Sequence, residues 1–191
     1  MCGRYHFSAE GSDDLLRIMQ ELHQSGEDFT PGEIVPTAAA PVLIDRKGAT
    51  VPTLMRWGFQ TQDALVINAR AETARDKPLF RGSIAAQRCL IPASGFYEWD
   101  SSKRKFFFTV PEQPDFCMAG IYRVREDRCH YCILTTAANS SMQPIHPRMP
   151  LILRREQMAP WLRNEEAALQ LLHSEPPLLN RASAEPQLSL W

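Results

Sequence analysis

No stretch of this chain approaches the ~20 consecutive apolar residues that a bilayer-crossing helix needs, so a membrane partner is not expected. Met1-Cys2-Gly3-Arg4 does not open a secretory leader. The expected location is therefore the cytoplasm, with nucleoid association if the source is bacterial. Charge of one sign is also missing: 21 Lys and Arg stand against 22 Asp and Glu, a formal net charge of −1. A protein that holds nucleic acid by its overall charge should be basic. Any DNA site here must be a local patch on a near-neutral body. Cysteine is scarce and odd in number, with five residues at Cys2, Cys89, Cys117, Cys129 and Cys132. That count argues against a disulfide framework in a cytosolic chain. Cys129-His130-Tyr131-Cys132 has the spacing of a zinc half-site or a redox pair. A strand across it would send the two sulfurs to opposite faces, and isolated Cys89 and Cys117 would have to supply the second ligand pair. Neither a metal nor a cofactor is expected.

What is present fits one soluble domain over residues 1–191, with 44% hydrophobic and 23% charged residues and no internal repeat or dividing linker. Ser8 to His23 reads as an amphipathic helix, capped by Ser12 or Ser8, with an apolar stripe of Leu15, Leu16, Ile18, Met19 and Leu22. Gly26 to Pro41 reads as a connection. Pro41 to Asp45 and Ala49 to Trp57 read as strands around an Arg46-Lys47-Gly48 turn. Gln60 to Ala64 is a polar loop before the short run Leu65-Val66-Ile67, and Asn68 to Pro78 reads as mixed loop and helix. Arg88 to Pro92 and Gly95 to Trp99 are strand-like. Lys105 to Val110, Phe116 to Val124 and Cys129 to Thr136 read as a β-meander. A Pro-punctuated loop, Asn139 to Pro150, leads to a short strand at Leu151 to Leu153, then helices at Arg155 to Leu162 and Asn164 to His173, and a Pro-rich tail. The expected class is α+β: a mainly antiparallel, barrel-like sheet with peripheral helices.

Cys2 carries the chemical interest. Removal of Met1 would leave an N-terminal 1,2-aminothiol, whose α-amine has an ordinary pKa of ~7.7–8.0 and is partly neutral at physiological pH. Such a group reacts with an aldehyde twice, by imine formation and then by sulfur attack to close a thiazolidine. Lysine can make the imine but not the ring. Three segments offer partners. Ile67-Asn68-Ala69-Arg70-Ala71-Glu72-Thr73 puts a carboxamide and a guanidinium after an apolar strand. Ser94-Gly95-Phe96-Tyr97-Glu98-Trp99 puts a single carboxylate in an aromatic strand, where burial would raise its pKa for acid–base work. Ile145-His146-Pro147-Arg148-Met149-Pro150 holds an imidazole and a guanidinium in a rigid loop. Singly, each has a plain structural reading: a turn cap, a solvent-facing strand Glu, a surface His. All lie at strand ends or in loops, where sites are usually built.

Together with Cys2-Gly3-Arg4-Tyr5 and Arg56-Trp57-Gly58-Phe59, these motifs resemble the SRAP domain, a family named for an SOS-response-associated peptidase. The resemblance covers roughly the first 155 residues, and the part from about 174 is atypical. It implies covalent capture of abasic sites in single-stranded DNA by Cys2, with Asn68, Glu98 and His146 completing the catalytic set. Asn68 would hold the amine and the sugar, Glu98 would carry protons, and His146 would assist at the sugar oxygen or phosphate. Arg4, Arg70 and Arg148 would neutralise phosphates without reading sequence. Trp57, Phe59 and Trp99 would stack on bases or wedge the strand. A monomer is expected. The chain departs from the family pattern at Glu33-Ile34-Val35-Pro36, where an Asn-x-Ala-Pro stretch is usual. Its loop between Trp57 and Asn68 is short and lacks a Pro-x-Trp, and Pro147 follows His146 where Asp is usual. Two other readings use the same residues: a cysteine peptidase or amidohydrolase built on Cys2, His146 and Asn68, and a non-covalent single-strand binder.

Overall fold

The computed structural model describes residues 2–126 and 128–184. In chain order the elements are β1 (Tyr5–Phe7), α1 (Asp13–Gln24), β2 (Gly32–Ile34), β3 (Ala39–Arg46), β4 (Ala49–Trp57), β5 (Phe59–Gln60), β6 (Leu65–Val66) and β7 (Asn68–Arg70). Next come α2 (Ala71–Ala74), α3 (Pro78–Ala86), β8 (Arg88–Ala93), β9 (Gly95–Trp99), β10 (Lys105–Thr109), β11 (Phe116–Arg125) and β12 (Arg128–Ala137). The chain then forms β13 (Arg148–Pro150), β14 (Ile152–Leu153), α4 (Arg155–Arg163), α5 (Glu165–Leu171) and β15 (Asn180–Ser183).

Two sheets organise them. Strands β12, β4, β3, β8 and β11 follow one another and close, because β11 also pairs with β12. Closure removes free edges, the usual hazard of an antiparallel sheet. All these pairings are antiparallel except β12 with β4, which is short and parallel at His130↔Arg56 and Tyr131↔Trp57. Farther along β12, β7 takes over in the same parallel sense, through Ile133↔Asn68, Leu134↔Ala69 and Thr135↔Arg70. The second sheet runs β15-β10-β9-β1-β2, all antiparallel. The architecture is the α+β, mainly antiparallel, barrel-containing fold expected from the sequence.

Local chemistry accounts for the elements. Ser12 caps α1, its hydroxyl accepting the Leu15 N–H at 3.0 Å. Leu15, Ile18 and Leu22 of that helix enter the core, whereas Leu16, expected in the same stripe, is 45% exposed. Pro78 opens α3, where its missing N–H costs nothing. Arg88, buried at the start of β8, donates to the carbonyls of Ile84 and Ala85 at the end of α3 and of Trp161 and Leu162 at the end of α4. One guanidinium thus satisfies the negative ends of two helices.

The structure corrects several expectations. Helix α3 lies where none was read, and the Gly26 to Pro41 connection contains β2. Strands β10, β11 and β12 do not form a meander: β10 pairs with β9 and β15, while β11 belongs to the barrel. Strand β15 extends the second sheet from what read as an irregular tail. Cys129 and Cys132 do part company, the first packing on one core cluster and the second lying in the other. No helix among the described residues is long and apolar enough to cross a membrane.

Candidate active site

The candidate residues gather where the two sheets meet. Cys2 enters β1 from its first residues and is wholly buried. Beyond the β1–β9 ladder of Tyr5↔Phe96 and His6↔Gly95, Tyr97 N–H donates to the Arg4 carbonyl at 2.9 Å, so β9 continues alongside the start of the chain. Alternation along β9 then turns Phe96 and Glu98 inward and leaves Tyr97 and Trp99 half-buried on the other face. Glu98 is 3% exposed. This register requires glycine at Gly95, because a Cβ there would stand 2.1 Å from the Phe107 ring.

The Cys2 thiol donates to the Arg4 carbonyl at 3.8 Å. Burial first, and then the charge of Glu98, push its pKa up to about 12, against the pull of that hydrogen bond. At neutral pH the sulfur is held as a thiol. From the barrel side, Asn68 Nδ2 donates to the Cys2 carbonyl at 2.9 Å. The Asn68 Oδ1 is buried and has no hydrogen-bond partner among the described residues. The first residue of β7 thus holds the backbone of Cys2 with one end of its amide and leaves the other end as an unpartnered acceptor.

Trp57 explains how Asn68 is set. Its indole Nε1 donates to the carbonyl of Ile67 at 3.0 Å, one residue before Asn68. The indole is packed edge-on against Tyr5, with ring centres 5.3 Å apart, and stacked with Tyr131 at 6.2 Å. The hydroxyls of these two tyrosines hydrogen-bond at 2.7 Å. Next to Trp57, Gly58 has φ +112°, and a Cβ there would strike Leu65 at 2.6 Å.

A match to the family model for SRAP, SOS response associated peptidase, covers residues 1–186. The chain belongs to the SRAP family. Abasic site processing protein YoaM of Bacillus subtilis is 30% identical over 191 residues, spanning 91% of this chain and 84% of the relative. Abasic site processing protein YedK of Escherichia coli is 27% identical over 180 residues, spanning 86% and 81%. A crystal structure of a protein from Bacteroides thetaiotaomicron shares the fold, with a TM-score of 0.77 at 24% identity over 97% of this chain and 93% of that one.

Within this SRAP chain the expected site residues divide. Cys2, Asn68 and Glu98 come together. The loop bearing His146 packs on the cluster that holds Cys2 through Met142 and Ile145. The His146 Nδ1 lies 3.0 Å from both the N–H and the carbonyl of Arg148. Trp57 and Phe59 are wholly buried and present no ring face to a base. Their expected stacking role is corrected: Trp57 is a core support, and Phe59 fills the second core cluster. Arg148, expected at a phosphate, is held by protein partners. It makes a two-pronged pair with Glu72 at 2.6 and 2.9 Å and donates to the Thr135 carbonyl at 2.6 Å, which ties the His146 loop to α2. Arg70 stays exposed at the end of β7. It lines a cleft of about 470 Å³ with Val66, Asn68, Lys77, Leu79 and Phe80. Lys77 was not singled out from sequence. Its only signal was a cation ahead of Pro78, which is too common to notice. Arg4 and Trp99 lie on the outward face of the second sheet, the guanidinium 5.7 Å from the indole.

Proposed function

We propose that this chain captures abasic sites in single-stranded DNA by covalent attachment through Cys2, after Met1 is removed. The relatives named above as abasic site processing proteins support the substrate. The observation that carries the chemistry is the Asn68 amide donating to the Cys2 carbonyl at 2.9 Å, with the buried Glu98 carboxyl group near enough for its charge to act on the Cys2 thiol. Hydrolysis of the Met1–Cys2 peptide consumes one water and frees the α-amine. The unpartnered Asn68 Oδ1, on the amide that already holds the Cys2 carbonyl, is the acceptor assigned to that nitrogen in this reading. The sugar ring opens when its oxygen gains a proton and the C1′ hydroxyl loses one. The amine adds to the resulting aldehyde carbon, and loss of water gives the imine. The thiol then adds to the same carbon while its proton passes by way of Glu98 to the nitrogen. The product is a five-membered thiazolidine, and one water leaves overall. With the aldehyde consumed, the strand is shielded from β-elimination.

A thiol pushed up to about 12 cannot attack as a preformed thiolate near pH 7. It needs a base at the moment of bond formation, which a neighbouring carboxyl group supplies. His146 serves protons at the sugar oxygen or the adjacent phosphate. Arg4 and Arg70 meet phosphates, and Trp99 offers the aromatic face for a base. The protein acts as a monomer in the cytoplasm, where its substrate lies. One gel tests the reading. Purified protein is mixed with a uracil-excised single-stranded oligonucleotide and run in denaturant, beside Cys2→Ala. Wild type shifts and Cys2→Ala does not. Intact-mass measurement showing Met1 retained on a protein that crosslinks, or a Cys2→Ala that still shifts, would overturn it.

A further inference from the structure

Glu33 sits in β2 opposite His6 of β1. One oxygen of its carboxylate takes the Arg4 guanidinium, and the other takes Lys105 Nζ at 3.0 Å. Three strands therefore converge on a single carboxylate. Both cations also lie over aromatic rings of β9: Lys105 Nζ is 3.9 Å from the centre of Tyr97, and Arg4 is 5.7 Å from that of Trp99. The side chains of Arg4, Glu33 and Lys105 are 37%, 32% and 25% exposed, so the cluster faces outward and is open to a competing anion. It begins two residues from the nucleophile, since the Arg4 carbonyl accepts the Cys2 thiol.

A carboxylate bridging an ammonium and a guanidinium, with aromatic faces beside it, occupies the position that a phosphodiester on a single strand would take. Ion pairs this exposed are weak and readily exchanged. We infer that Glu33 is a built-in competitor of the DNA backbone for Arg4 and Lys105. It lowers the hold on any single strand and leaves retention to the covalent step at the lesion. The inference rests on the capture reading for the identity of the strand.

The test uses a fluorescent single-stranded oligonucleotide with a tetrahydrofuran abasic analogue, which has no aldehyde and reports non-covalent binding alone. Anisotropy is followed across a salt series. Glu33→Gln tightens binding about two- to fivefold and steepens the slope of log affinity against log salt by about 0.7, one extra phosphate contact on a single strand. Glu33→Asp, which keeps the charge, binds like wild type. Adding Lys105→Met to Glu33→Gln removes the gain, and that coupling separates competition from a structural role. Unchanged or weaker binding by a folded Glu33→Gln, with an unaltered slope, overturns the proposal. The same proteins are also given a uracil-excised strand. If wild type forms no denaturant-resistant adduct there, the capture reading falls, while the salt slope still decides the role of Glu33.

Discussion

In the barrel, β3 lies against β4 along its whole length, from Ala39↔Arg56 to Arg46↔Ala49, and β11 is laddered to both β8 and β12. In the other sheet, β1 meets β9 only at Tyr5 and His6 and meets β2 only from Tyr5 to Phe7. The long ladders and the closed sheet carry stability, and the short ones carry Cys2, the nucleophile of the proposed reaction. A strand with few ladder bonds can shift locally without unfolding the body, which is what the proposed capture reaction requires of β1. The barrel supplies the fixed counterpart, since Asn68 is set by β12 on one side and by the Trp57 indole on the other. In the proposed reaction, precision comes from the seam, where a rigid amide meets a strand end.

The largest effect should come from the seam itself. Glu98→Gln keeps the shape of the side chain but cannot carry protons, so single-turnover capture should slow by about a hundred- to ten-thousandfold, with the thermal midpoint little changed. An unaltered rate would remove Glu98 from the chemistry. The reverse pattern is expected in the barrel. Ile91→Ala, at a wholly buried position of β8, should cost about 2–5 kcal/mol of stability, read by denaturant titration, while capture per folded molecule holds. A matched fall in rate would mean that barrel and seam are not separable.

Trp57→Phe probes the link between the two regions. It keeps the aromatic packing and removes the hydrogen bond to Ile67, whose carbonyl still accepts the Ile133 N–H at 3.1 Å, so the stability loss should be that of one hydrogen bond, about 0.5–1.5 kcal/mol. Because Asn68 is the next residue, capture should slow beyond what the stability loss explains. The smallest effect concerns acid. The hydrogen bond from Arg148 holds the Glu72 carboxyl below its ordinary range. Its stabilising contribution is therefore present above the unfolded value of ~4.3 and lost as pH falls below it. Glu72 is more than a third exposed, so solvent screening limits the loss to under about 1 kcal/mol. Thermal midpoints of wild type and Arg148→Met should converge between pH 5 and about 3; parallel curves would deny the pair any role.

Much of the site was legible because it obeys local rules. The Ser12 cap announces α1, the turn at Arg46-Lys47-Gly48 announces β3 and β4, and the run Gly95 to Trp99 announces β9. Trp57 and Phe59 misled for one shared reason. An aromatic or arginine in a strand looks the same whether it faces solvent or a neighbour, and only packing assigns the neighbour. Strands β2 and β15, of three and four residues, are too short for a period to show and exist because a partner edge is there to pair with.

By itself the sequence determined the chemical groups on offer: a cysteine at position 2, a carboxyl group within an aromatic strand, and an amide closing an apolar run. Those follow from residue type and short-range periodicity, which need no knowledge of distant neighbours. Closure of the barrel, the meeting of β7 with the first residues of the chain, and the capture of Arg4 and Arg148 by carboxylates were decided only in three dimensions. Each depends on which distant segments share a ladder, and that choice is made by burial of the whole core.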